Sequence, residues 1–261
     1  MVSSLYNWFM LPHRIAAIRR RLPAGRPLLL DVGCGNHSPR ITKTYLPDCE
    51  YHGVDNRRWA RDGADDRAVD QFHEIDLESA GQLDRIPDGR YDAVICSQVL
   101  EHLSDPYGVV ARLARKAKPG GVLYIETPSP RSLSLPSAAR GWLCVRGCLN
   151  FRDDDSHKGL VDLGRVAAAL ERDGFKVSGP RPCFLWRRVL FLPLYIIATL
   201  VAKGFVPASV LWDVAGFAVN LTAVRLGSAA SGLPAGGNMG RGRQEARLRA
   251  RAGAANGTKR T

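Results

Sequence analysis

The stretch LLLDVGCGNHSPR (Leu28–Arg40) decides how the chain is read. An apolar run passes into two closely spaced glycines, Gly33 and Gly35, and then into Ser38-Pro39. A strand that ends in a glycine turn and continues as a helix brings backbone N–H groups against a ligand, because glycine lets the main chain approach closely. In a dinucleotide fingerprint a third glycine packs the helix on the strand, but Ser38 stands at that position here. Ser38 is expected as the N-cap of the following helix, with Pro39 at its first position.

Working outward, strand-like and helix-like runs alternate. PLLLDV (Pro27–Val32), YHGVD (Tyr51–Asp55), FHEIDL (Phe72–Leu77), YDAVICS (Tyr91–Ser97) and VLYIETPS (Val122–Ser129) read as five strands, the last entered through the turn KPGG (Lys118–Gly121). The helix LVDLGRVAAALERDGF stops at Gly174, strand FKVSGP follows, and FAVNLTAVRL (Phe217–Leu226) reads as a final strand. This alternation predicts an α/β, doubly wound, mostly parallel seven-stranded sheet of Rossmann-like type. The carboxyl ends of its strands gather at one edge, where open α/β folds bind ligands. Asp55, about twenty residues past the glycine turn, is placed to accept ribose hydroxyls, which suits either a nicotinamide or an adenosyl sulfonium cofactor.

In order, LLLDVGCGN, YHGVD, IDLES, YDAVICSQVLEHLSDP and KPGGVLYIETPSP resemble the successive motifs of class I S-adenosylmethionine-dependent methyltransferases, most closely the small-molecule type-11 and type-23 groups. The resemblance runs from Leu28 to about Gly174, and Phe217–Leu226 matches the family's reversed seventh strand. It implies S-adenosylmethionine as cofactor, with Asp31, Gly33 and Gly35 at its methionine end and Asp55 on the ribose. Asp76 and Leu77 would then face the adenine, and Ser97 and Gln98 the floor beneath the sulfonium. Gln98 stands where many relatives carry histidine. The missing third glycine agrees, since a sulfonium cofactor has no pyrophosphate to cradle.

Methyl transfer is an in-line displacement on an activated carbon, so the protein must align donor and acceptor and, for a hydroxyl, take a proton. His157, in the loop NFRDDDSHKG after the fifth strand, is the sharper candidate base, with Asp153, Asp154 or Asp155 as its orienter. An acidic loop that only caps the next helix is the bland alternative. His102, in LEHL, is a second candidate, with a structural role tying helix to sheet as its alternative. His13, His37, His52 and His73 show no comparable constellation in the sequence.

Composition bounds the rest. In 261 residues, 45% are hydrophobic and 24% charged, values of an ordinary globular protein that argue against a wholly disordered chain. The six cysteines lack paired CxxC spacing, so reduced thiols and no metal site are expected. Of the formal +12, the end from Ser228 to Thr261 holds seven Lys/Arg against Glu245 alone, in a Gly/Ala/Arg-rich setting that predicts a disordered basic tail. Residues 1–26 read as an amphipathic lead-in, with Trp8, Leu11, Ile15 and Ile18 at helical spacing and no secretory order of charges. Residues 27–227 form the methyltransferase domain, interrupted at 184–214 by an apolar helical insertion between the last two strands. Its charge-free run Val189–Ala202 is too short to span a bilayer, and Arg187, Arg188 and Lys203 flank it. A membrane interface, an apolar substrate, a dimer surface or a buried hairpin would each use such a segment.

The expected protein is a cytoplasmic enzyme, peripheral at the inner face of a membrane, that methylates a small or lipid-like acceptor, most plausibly at oxygen. A non-catalytic S-adenosylmethionine-binding scaffold is the alternative. Ser38-Pro39 and the LEHL and KPGG motifs oppose an NAD-dependent oxidoreductase. Nucleic-acid methylation lacks an NPPY-type motif or an aromatic-rich basic patch.

Overall fold

The structure, a computed structural model, describes residues 7–59, 63–79, 81–138 and 144–227. The predicted tail from Ser228 onward lies outside the described residues. Seven strands form one sheet: β1 (Leu28–Val32), β2 (Glu50–Asp55), β3 (Gln71–Glu74), β4 (Tyr91–Ser97), β5 (Ala117–Pro128), β7 (Phe175–Pro182) and β9 (Ala218–Arg225). Their order is β3-β2-β1-β4-β5-β9-β7. The pairs among β1 to β5 are parallel, and β9 runs antiparallel to both β5 and β7. Two short strands, β6 (Val145–Arg146) and β8 (Val206–Pro207), pair with each other outside this sheet.

The two faces of the sheet follow from period-two alternation along each strand. Leu30, Val32, Val94, Leu123 and Ile125 face helices Pro106–Lys116 and Leu163–Arg172, which contribute Val109, Leu113, Val166 and Leu170. Leu29, Tyr51, Ala93, Ile95, Val122 and Tyr124 face the other way, onto Ile15 and Ile18 of helix His13–Ile18. The Asp105 and Asp162 side chains cap the first two helices, accepting from Gly108 N at 2.9 Å and Gly164 N at 2.8 Å.

Three local expectations are corrected. The lead-in is not one helix: residues 7–10 are helical, Leu11 and Pro12 are not, and Pro12 then serves as the N-cap of His13–Ile18. A proline pushes the residue before it out of helical conformation, and that effect overrides the hydrophobic spacing. Ser38 is not the N-cap of helix Ser38–Tyr45. His37 is, at φ 73°, with no side-chain bond of its own. The third strand ends at Glu74, so Asp76 and Leu77 lie in the turn beyond it.

Between β7 and β9 the chain forms helix Trp186–Lys203, strand β8 and helix Ser209–Ala215. Leu192, Tyr195 and Ile196 of the long helix pack against Ala138, Val145, Leu149, Val206, Ala208 and Val210. The remaining apolar side chains face outward: Leu190, Leu194 and Val201 are 67%, 65% and 83% exposed. Leu192, Ile196 and Leu200 follow one another at helical spacing, yet only the first two pack inward, since Leu200 is exposed. Helix and N-terminal segment are joined by Arg187, whose Nε donates to Phe9 O at 3.2 Å and whose terminal nitrogen donates to Leu11 O at 2.8 Å. The rings of Phe9 and Phe191 meet edge to face, 5.3 Å between centroids.

This division of faces predicts unequal mutational costs. Leu192→Ser is expected to lower stability by about 1–3 kcal/mol through lost packing, whereas Leu194→Ser stays within about 0.5 kcal/mol. Thermal unfolding of the two variants checks the assignment, and equal losses would contradict it.

Candidate functional site

Two cavities open at the carboxyl ends of the strands, and they share Gly33 and Gln98. The first, of about 500 Å³, is walled by Gly35, Asp55, Trp59, Asp76, Leu77 and His102. The second, of about 410 Å³, is lined by His13, Arg14, Asp31, Ser97, Glu126, Arg188, Tyr195 and Asp213, among others. All eight residues assigned to cofactor binding from the sequence thus reach one cavity or the other. This happens because β1, β2, β3 and β4 are parallel and in register, so their ends stand side by side.

The glycine turn is held from below. Gly33 N and Cys34 N donate to Val54 O at 2.8 and 3.1 Å. Gly33 adopts φ +69°, and a Cβ there would meet Val99 Cγ2 at 2.1 Å; Gly35 adopts φ +52°, and a Cβ there would meet only Gly33 O, at an ordinary contact of 3.9 Å. Both positions are left-handed, which glycine adopts without penalty. Gly35 N donates to Asp55 Oδ2 at 2.9 Å, while Asp55 Oδ1 accepts from Asn56 N at 2.8 Å and Trp59 Nε1 at 2.9 Å. Three donors on a carboxylate with about four lone-pair sites leave room for a ligand hydroxyl.

Asp31, the last residue but one of β1, lines the other cavity and is buried. Its Oδ2 accepts from Ser38 Oγ at 2.5 Å and Tyr51 Oη at 2.6 Å. Burial raises the Asp31 pKa, opposed by the charge of Arg14 and by these two hydroxyls. Here lies the reason that Ser38 caps no helix: its hydroxyl serves Asp31 instead. Gln98 carries a left-handed φ of 56°, with its amide 3.2 Å from Glu126 Oε1, which also accepts from Ser97 Oγ at 3.3 Å. A non-glycine residue held in that conformation at a cavity junction is a frequent mark of a functional site. Asp76 is organised locally, accepting from Glu78 N at 3.0 Å and Ser79 Oγ at 2.8 Å. Cys34, next to the turn, is buried, and burial together with Asp31 and Asp55 drives its thiol pKa strongly upward.

The histidines fall otherwise than the sequence indicates. His157 lines neither cavity: its ring stacks on Phe151 at 4.5 Å, and Nδ1 lies 2.6 Å from Phe151 O. Asp153, a proposed orienter, is spent on the loop itself, taking N–H bonds from Ala138, Leu149 and Asn150 and the Ser137 hydroxyl. Asp154 Oδ2 is 4.0 Å from His157 Nε2. His102 lines the first cavity, with Nδ1 2.9 Å from Ser156 Oγ. The histidine missed is His13, which lines the second cavity with Nε2 3.3 Å from Asp213 Oδ1. Asp213 also pairs with Arg188. Two hundred residues separate His13 from Asp213, so no local pattern announces the pair.

Comparison with known proteins gives a consistent picture. A family model described as a methyltransferase domain matches residues 8–177. An uncharacterized protein of Synechococcus is 35% identical over 135 residues, covering 46% of this chain and 30% of that protein. Ubiquinone biosynthesis O-methyltransferase of Xanthomonas oryzae pv. oryzae is 32% identical over 166 residues, 54% of this chain and 62% of the relative. The chain thus spans about one third to three fifths of the length of these curated relatives. Among solved structures, an S-adenosylmethionine dependent methyltransferase from Mesorhizobium loti superposes with a TM-score of 0.53 at 17% identity, over 83% of this chain and all of that one. That likeness is one of fold.

The glycine geometry yields a graded prediction. Gly35→Ala is expected to cost about 1–2 kcal/mol for left-handed backbone alone. Gly33→Ala should cost about 1–3 kcal/mol more, because its methyl group overlaps Val99. Chemical denaturation of both variants measures the difference, and a Gly33→Ala protein as stable as Gly35→Ala would refute the clash.

Proposed function

The chain belongs to the S-adenosylmethionine-dependent methyltransferases, and on that premise we propose that it methylates a hydroxyl oxygen of a small, largely apolar acceptor. The residues present fit the cofactor: two left-handed glycines form a cradle, and Asp55 keeps acceptor capacity beside it. Asp55 is suited to the ribose hydroxyls, Asp76 and Leu77 to the adenine, and Asp31, Gly33, Gly35, Ser97 and Gln98 to the methionine end. When bound, this cofactor supplies an already activated methyl carbon. The protein's own work is to exclude water, hold the acceptor in line and receive its proton.

One observation carries the assignment of sides: the two cavities meet at Gly33 and Gln98, and the one away from Asp55 holds its own histidine. His13 is the one histidine among the described residues lining that second cavity. Asp213 Oδ1, 3.3 Å from its Nε2, is the carboxylate beside that imidazole. We therefore assign the proton-accepting role to His13 rather than to His157 or His102. Tyr195, Val210 and Trp212 give this cavity apolar surface, while Arg14 and Arg188 provide cationic groups for polar substituents of the acceptor. The naming of curated relatives for O-methylation supports oxygen as the atom modified.

The same helix that brings Arg188 and Tyr195 to the cavity exposes Leu190, Leu194, Ile197 and Val201 on its outer side. No helix among the described residues is long and apolar enough to cross a membrane. An interfacial helix with basic flanks, Arg187 and Lys203, suits a peripheral enzyme at the cytoplasmic face, taking a lipid-like acceptor from the bilayer.

Two measurements test this reading. Asp55→Ala is expected to weaken S-adenosylmethionine binding by about 1.5–3 kcal/mol in calorimetry, the worth of a charge-assisted acceptor. His13→Gln is expected to leave that affinity unchanged and to slow methyl transfer to hydroxylated acceptors by about 10²–10⁴-fold. Cofactor binding without any methylated product, across hydroxyl, amine and thiol acceptors, would favour the non-catalytic scaffold. Full activity in His13→Gln would remove His13 from the mechanism.

A further inference from the structure

Beside the nucleoside-side cavity, Glu101, His102 and His157 bring one ligand-capable atom each to within 4.8 Å of one another. Glu101 and His102 come from the short 3-10 turn Leu100–His102 after β4, and His157 comes from the loop after β5. The two segments are stitched by the main chain, Lys158 N donating to Glu101 O at 2.8 Å.

The hydrogen bonds around the cluster fix which lone pairs point where. His157 Nδ1 lies 2.6 Å from Phe151 O, and a carbonyl only accepts, so Nδ1 carries the proton and Nε2 keeps its lone pair. The Ser156 hydroxyl donates to Asp154, leaving its oxygen to accept from His102 Nδ1 at 2.9 Å. His102 Nε2 therefore keeps its lone pair as well. Glu101 is 1% exposed; Oε2 accepts from Thr127 Oγ1 at 3.3 Å, and Oε1 is buried with no hydrogen-bond partner. Three acceptors thus come together without a donor, Glu101 buried and the two imidazoles partly buried, an arrangement that costs free energy until a positive charge or a proton enters it.

We propose that Glu101, His102 and His157 bind one divalent first-row transition-metal ion. Two imidazoles and a carboxylate are a ligand set for such ions, and each imidazole has its other nitrogen anchored, as metal-bound histidines do. Metal–ligand bonds of about 2.0–2.2 Å require the donors to close from their present spacing. Binding therefore draws the loop around His157 toward the turn carrying His102 and stiffens that wall of the cavity. The expectation of no metal, based on cysteine spacing, addressed thiols and did not consider this Glu/His/His set. The inference stands apart from methyl transfer, because it concerns binding alone.

The test is titration of the metal-stripped full-length protein with Zn²⁺ by calorimetry and with Mn²⁺ by electron paramagnetic resonance. One equivalent is expected, with affinity reduced at least tenfold in each of His102→Gln, His157→Gln and Glu101→Gln, while S-adenosylmethionine binding persists in His157→Gln, whose parent residue lines neither cavity. Glu101→Gln also separates the alternative, in which a proton on Glu101 satisfies the imidazoles. A parent protein that takes up neither metal would overturn the proposal, and an unchanged melting temperature in Glu101→Gln, whose amide replaces that proton, would then assign the cluster to the protonated carboxyl. Stoichiometric binding that survives His157→Gln and Glu101→Gln would place the metal elsewhere and overturn it equally.

Discussion

The buried carboxylate of Asp31 is the constraint on which the ligand end of this sheet depends. It stands at the end of β1, where the apolar strand gives way to the glycine turn, and burial alone would favour its neutral form. The Ser38 and Tyr51 hydroxyls and the charge of Arg14 counter that cost, and they come from three different elements. One group thereby ties the helix after the turn, strand β2 and the N-terminal helix to a single point. The turn between them inherits its shape, which is why Gly33 and Gly35 can sit in left-handed conformations with their N–H groups directed to Val54 O and Asp55. A buried polar group that is fully satisfied specifies one arrangement of its neighbours, and removing any partner leaves a costly vacancy in the network.

The second cavity is built on a different principle. Its walls come from the two segments that lie outside the alternating β/α core: the residues before β1 and those between β7 and β9. Neither would stand alone. Arg187 ties the insertion to the carbonyls of Phe9 and Leu11, Asp213 faces His13, and the Phe9 ring meets Phe191 and Tyr195. A cavity carried by the ends of the sheet strands is thus combined with one whose shape belongs to added pieces. This is the usual division in folds that serve many chemistries, where the scaffold binds and the additions select.

What was legible in the sequence is what is locally encoded. Strand ends, glycine turns and the spacing of Asp55 from Gly33 are written within about twenty-five residues, and Asp31, Asp55, Asp76 and Gln98 all line cavities at the strand ends. Interactions between distant segments were not legible. His13 and Asp213 have no local signature, and Ser38 looks like a helix cap until Asp31 claims its hydroxyl. His157 was singled out for its acidic neighbours, yet Asp153 is consumed by four donors of its own loop. The faces of helix Trp186–Lys203 were illegible for another reason. A segment apolar on all sides has no contrast for helical periodicity to read, so Leu192 and Leu194 look alike in sequence and differ in burial.

The environment of Cys34 carries one more consequence. A methyl sulfonium is an electrophile, and thiolate is the most nucleophilic side chain a protein offers. Cys34 lies one residue from Gly33, yet its sulfur is packed beneath the turn, 2.9 Å from where a Cβ on Gly53 would lie. Burial and the adjacent carboxylates Asp31 and Asp55 hold it as the neutral thiol. The carboxylates that flank the turn therefore also quiet a thiol one residue from Gly33. Alkylation of Cys34 by such an electrophile is disfavoured by burial and by these same charges.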